Sequence, residues 1–140
     1  LRETPRTCEY YYVLSDRSGT MAGVHCTPSR MKVLRPGEQD ERLPPVPVDT
    51  VMFSGGSRAE ELSRRLHDRH GSIDVPAMID IIKRPVAMNS NLHNAVFVPE
   101  SLEMYFANAG KHSCACDEPY HRCALDELLR FYRAHAEAPR

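Results

Sequence analysis

The sequence has no excess of either charge, no apolar run long enough to cross a membrane, no internal repeat and no regular cysteine framework. Each absence removes a class of protein. With 18 basic and 19 acidic side chains the formal charge is -1, so no broad field draws the chain to nucleic acid or to an anionic membrane. The N-terminal stretch also lacks the apolar core of a signal peptide; read as a native start, it places the protein in the cytoplasm. Five cysteines are an odd number, and without a regular spacing they read as free thiols in a reducing compartment. What remains is ordinary: 140 residues, 41% of them hydrophobic, suit one domain that can build a core.

The most informative stretch is Lys83 to Ala109. Leu92, Asn94, Val96 and Val98 alternate with His93, Ala95 and Phe97, while Leu102, Met104 and Phe106 alternate with Glu103, Tyr105 and Ala107. Both runs have the period of two that sends successive side chains to opposite faces of a sheet. Pro99-Glu100-Ser101 separates them, because proline fixes φ and cannot donate to a ladder. The pattern predicts an antiparallel β-hairpin, in a sheet that also holds residues 8 to 14. Apolar residues on both faces predict that the pair is covered on two sides.

Ahead of the hairpin, Thr7 to Leu14, Met21 to Cys26 and Met31 to Leu34 read as three strands of a meander, each stopped by turn formers. Glu38 to Pro47 is charged and proline-rich and reads as a surface loop. Thr50 to Phe53 reads as a short buried strand running into Ser54-Gly55-Gly56. Ser57 and Glu60 have the spacing of a capping box, and Ala59, Leu62 and Leu66 give a helix to about His70 one apolar stripe. Asp74 caps a second helix with Pro76 in its first turn, and Met78 and Ile82 share a side; Pro85 closes this helix. A last helix carries Leu125, Leu128, Leu129 and Tyr132 on one face. Strands and helices that do not strictly alternate predict α+β with mainly antiparallel sheet.

Thr7-Cys8-Glu9-Tyr10-Tyr11-Tyr12-Val13-Leu14-Ser15-Asp16, the run into Ser54-Gly55-Gly56-Ser57-Arg58, and Lys83 through Ala109 resemble the C-terminal half of the peptidase C45 family. That family includes the acyl-coenzyme A:6-aminopenicillanate acyltransferases. The resemblance covers nearly the whole chain through a pattern of segments. It implies an N-terminal-nucleophile hydrolase fold, two antiparallel sheets between helical layers, of which residues 1–140 are either one domain or the C-terminal fragment of a larger αββα domain. It further implies self-cleavage that exposes a cysteine, attack on an amide or thioester, and an acyl-enzyme resolved by water or an amine. No cofactor is called for. The substrate is a small amide or acyl compound, and the partner is the N-terminal part of the same protein. The chain departs from the pattern at the nucleophile: it begins at Leu1, and none of its cysteines stands at a plausible processed terminus. The expectation is a chain inactive by itself.

In the resembled family the strand matching Val51-Met52-Phe53 runs into an Asn-containing turn that stabilises the oxyanion. Here the asparagine is missing, so Ser54 and Gly55 become the candidate donors, through the Ser54 hydroxyl or a backbone N–H. A plain glycine turn before a helix is the competing reading. Arg58 is the candidate for a substrate carboxylate. His93 and Asn94 are further catalytic candidates, at most one of which can face a site because they lie on opposite faces of the hairpin. A different class of function comes from residues 112–123. His112, Cys114, Cys116, His121 and Cys123 offer enough ligands for a tetrahedral metal in a non-catalytic binding or interaction module. Their Cys-x-Cys and His-x-Cys spacing is not that of a zinc knuckle, and a loop covering a sheet edge is the preferred reading, with no metal ligand assigned.

Overall fold

In the computed structural model, which describes residues 4–136, the three aromatic and β-branched runs of the first part pair in chain order. β1 (Tyr10–Ser15), β2 (Met21–Cys26) and β3 (Met31–Leu34) form an antiparallel sheet with order β1-β2-β3. The β1–β2 turn is fixed by Asp16, whose carboxylate accepts from the backbone N–H and hydroxyl of Ser18, and by Gly19 at φ +83. After β3, Pro36 and Gly37 (φ +83) turn the chain, with the Glu38 N–H donating to Arg35 O, as proline and glycine do at the two centres of a type II turn. Leu1, where the chain starts without a methionine, lies outside the described residues.

α1 (Ser57–Arg69) forms where the apolar stripe predicts it, and buries Ala59, Ser63 and Leu66. The Ser63 hydroxyl donates to Pro45 O, tying the helix to the preceding loop. The predicted capping box is absent. Gly56 is the N-cap and no side chain caps the helix, so Ser57 lies one residue inside it, where its hydroxyl is past the capping position. Nor is Thr50 to Phe53 a strand. Val51 and Phe53 lean instead on the face of β2 at Gly23, where a Cβ would stand 2.5 Å from Val51 and 2.3 Å from Phe53; the segment packs on a sheet face and joins no ladder. The loop from Glu38 to Pro47 is irregular but only partly on the surface, since Asp40 and Pro47 are buried.

The chain divides into two compact units, one ending at Ile73 and the other beginning at Asp74. The second opens with α2 (Val75–Ile81), capped as expected by the Asp74 carboxylate, which accepts from the Ala77 N–H at 2.8 Å. Pro85 does not close this helix. The Ile82 N–H bonds to Met78 O at the end of α2, and Pro85 comes in the turn beyond. β4 (His93–Val98) and β5 (Glu103–Asn108) make the predicted hairpin, in register from His93↔Asn108 to Val98↔Glu103. Its turn runs from Pro99 to Leu102, which adopts φ 55.

Two expectations for the hairpin fail. Its third strand is not β1, which belongs to the other sheet, but β6 (His121–Ala124), so that the order is β4-β5-β6. The cysteine- and histidine-rich segment thus covers the β5 edge by becoming a strand. The hairpin is also not covered on two sides: Val96 and Ala107 are buried on one face, while Phe97 on the other is 66% exposed. A short 3₁₀ turn, Ala115–Asp117, buries Ala115 and Cys116. α3 (Leu125–Ala136) follows β6 directly, and Leu125, Leu128, Leu129 and Tyr132 are all exposed. The fold is α+β, with two three-stranded antiparallel sheets and three helices among the described residues.

Candidate functional site

Ser54, Gly55 and Arg58 belong to the first unit and cluster at the uncapped start of α1. Ser54 and Arg58 are half-buried, and Gly55 is exposed with open space where a Cβ would be. Neither the Ser54 hydroxyl nor the Arg58 guanidinium has a hydrogen bond among the described residues, so both are available to a ligand. His93 and Asn94 belong to the second unit and point to opposite faces of β4, as their spacing requires. His93 is exposed and bonded through Nδ1 to Asn108 Oδ1 at 2.8 Å, its cross-strand partner. Asn94 is half-buried, and its Nδ2 is one of three buried polar atoms without a partner among the described residues, with Asn91 Oδ1 and the Tyr120 hydroxyl. Burial raises the Tyr120 pKa.

The thiols and imidazoles of residues 112–123 do not converge. Cys114 Sγ donates to Asn89 O, Cys116 is fully buried with its thiol pKa pushed up by desolvation, and His112 and His121 are exposed. Among the described residues no three His, Cys, Asp or Glu side chains are placed to hold a metal ion. All five cysteines are free thiols.

The densest polar geometry lies elsewhere, on one face of the first sheet. The register aligns Tyr11, His25 and Lys32 in a row across β1, β2 and β3. Tyr11 stacks on the His25 ring at 4.6 Å, and Phe53 closes against both, 5.3 Å from Tyr11 and 6.4 Å from His25. Glu9, two residues before Tyr11 and so on the same face, accepts through Oε1 from the Tyr11 hydroxyl (2.8 Å) and pairs with His25 Nε2 (2.5 Å). An ionised carboxylate only accepts, so Nε2 carries the hydrogen. The Tyr11 and His25 bonds lower the Glu9 pKa, and the same Glu9 bond raises that of Tyr11.

At the β3 end the irregular loop returns Asp40 to the sheet. Its buried carboxylate accepts from the Arg42 backbone N–H, Nε and Nη2 and from Lys32 Nζ, all at 2.9 to 3.0 Å. Arg42, and after it Lys32, hold the Asp40 pKa far below the usual carboxylate range. Glu9, His25, Lys32, Asp40 and Arg42 line an open groove of about 940 Å³, rimmed also by Thr27, Arg30 and Glu41.

None of the groove residues stands out as a site candidate by motif or spacing. The signal was there in part: Glu9 and Tyr11 share a face by spacing alone, and His25 is a polar residue inside an otherwise apolar strand. The return of Asp40 through an irregular loop has no periodic signature. Comparison with family models, with curated proteins and with solved structures finds no match.

Proposed function

We propose that the chain is the C-terminal portion of a C45-like cysteine amidohydrolase or acyltransferase acting on amide or thioester bonds. The nucleophile and the αββα layering are completed by an N-terminal portion of the same protein. The observation that carries this reading is β1. Residues Tyr10 to Leu14 are between 37% and 60% exposed, on a strand that is apolar along its length and open along one edge. Such a strand is unusual on the outside of a finished domain and ordinary where another strand is to be added. Phe97 and the apolar stripe of α3 are exposed in the same way.

The resemblance to half of a two-sheet sandwich predicts Tyr10, Tyr12, Val24 and Phe97 near the surface that a missing half leaves open. Val24 is corrected to the core at 5% exposure, because β2 is the central strand, while the other three are exposed. Ser54, Gly55 and Arg58 supply the chemistry of this reading. The Ser54 hydroxyl or a backbone N–H of Ser54 or Gly55 serves the oxyanion, and Arg58 serves a substrate carboxylate. His93 is left to the surface, since its Nδ1 is engaged by Asn108.

The test is the parent reading frame. A cysteine at a self-processing junction upstream of Leu1, with expression of the whole frame giving two chains and amidase or thioesterase turnover, is the expected result. A frame without such a cysteine, or turnover that survives its change to alanine, overturns the assignment.

A further inference from the structure

We propose that the groove across the first sheet binds a small oxyanion, a carboxylate or a phosphate, between Arg30, Lys32 and Arg42. Some hydrogen-bonding groups of the groove are spent and others are not. Asp40 accepts four bonds and Glu9 two, so the two engaged carboxylates have little capacity left for a cation. No three acidic, histidine or cysteine side chains gather around a metal position among the described residues.

The donors, by contrast, are in surplus. Asp40 holds Lys32 and Arg42 side by side, and one carboxylate neutralises only one of two cations. It uses one of the three ammonium hydrogens of Lys32 and leaves Arg42 Nη1 untouched. Arg30 lines the same groove, and its guanidinium has no hydrogen bond or ion pair among the described residues. Glu41, the remaining acid of the rim, is exposed and lines the groove as well. Arg30, Lys32 and Arg42 are matched in number by Glu9, Asp40 and Glu41 along the groove, so the surplus is of unused hydrogen-bond donors and not of net charge.

Unused arginine and lysine hydrogens along one concave surface are what carboxylate and phosphate oxygens need, and the groove volume is that of a small-molecule site. Asp40 organises the site from below: its buried carboxylate keeps two long, flexible side chains in place before the ligand arrives, which lowers the entropic cost of binding. The inference does not rest on the acyl-transfer reading, since every residue it uses lies between Glu9 and Arg42.

Equilibrium dialysis of the whole chain at low salt against radiolabelled phosphate and radiolabelled succinate tests it, and reads binding whatever the association state. Saturable binding of at least one probe near one site per chain is expected, the preferred probe identifying phosphate or carboxylate as the source. Arg30→Gln and Lys32→Met should each weaken it by about tenfold, whereas Arg130→Gln, the same charge change on α3, should not. Arg30 is exposed and unpaired, so its variant keeps the fold even if the Lys32 variant does not, and circular dichroism checks both. No saturable binding by either probe, or equal binding in Arg30→Gln and Arg130→Gln, overturns the proposal.

Discussion

Gly56 holds φ 59 and ψ −151 at the start of α1, a region of backbone space open essentially to glycine alone. Gly56→Ala is therefore expected to lower the unfolding free energy by about 1 to 3 kcal/mol, read as a shifted urea midpoint at unchanged slope. Gly55→Ala, with open space around it and no positive φ, should stay within about 0.5 kcal/mol. Gly23 is required for another reason. Its missing side chain is where Phe53 and Val51 rest, and Gly23→Ala should cost about 1 to 3 kcal/mol by overpacking. The glycine pair at 55–56 was legible as a turn. The need at Gly23 was not, because it depends on a contact with a distant segment that no local pattern announces.

Asp40 gives a pH dependence at the same scale. Its folded pKa lies far below the unfolded value of about 3.9, so the stability it contributes is complete above that value and is lost as pH falls through the acid range below it. Urea midpoints of the wild type should thus fall more steeply below about pH 4 than those of Asp40→Asn. Parallel curves for the two proteins would remove Asp40 from the account.

Among the elements, those specified by neighbours in sequence came out as read. α1, the Asp74-capped α2, the three-stranded meander and the β4–β5 hairpin each carry their period locally, although the Ser57 capping box of α1 and the Pro85 stop of α2 do not form. β6 did not, since His121 to Ala124 is four residues long and its polar composition gives no alternation; only the open edge of β5 makes it a strand. The same dependence explains why β1 was assigned to the wrong sheet: periodicity gives faces, not partners. Glu61 illustrates an element's own electrostatics. Arg64 and Arg65, one turn on, hold its pKa down to about 2, so their support to α1 is in place above the ordinary carboxylate range and fades as pH drops towards that value.

α3 carries a prediction of its own. Its apolar stripe is recognisable in sequence, but the structure leaves it exposed, so it adds little to the stability of the isolated chain. Leu129→Lys should change that stability by no more than about 0.5 kcal/mol while reducing the binding of a hydrophobic dye. A clear loss of stability would place Leu129 in a core.

At the scale of the whole molecule, the exposed apolar surface of β1, Phe97 and α3 predicts concentration-dependent self-association of the isolated chain by light scattering, with dye binding. A compact monomer that binds no dye would mean that the chain needs no further part. The isolated chain should also show no turnover of a chromogenic acyl amide or thioester; turnover unaffected by changing any single cysteine would place the chemistry on other residues. Of the site chemistry, the glycine turn was visible by composition, whereas the sheet groove was not, because it needs the loop that returns Asp40 to Lys32.

The open side of β1 has one more consequence. In an antiparallel pair, alternate amides of an edge strand bond to the neighbour and the rest point outward, here away from β2. Deuterium should therefore enter the backbone of residues 10–15 in a two-beat pattern, every second amide exchanging at once and its neighbours slowly. If a further strand of the parent protein docks there, the fast set turns slow and the slow set is unchanged, so the exchange record of six amides reports occupancy of that edge without any need to know what fills it.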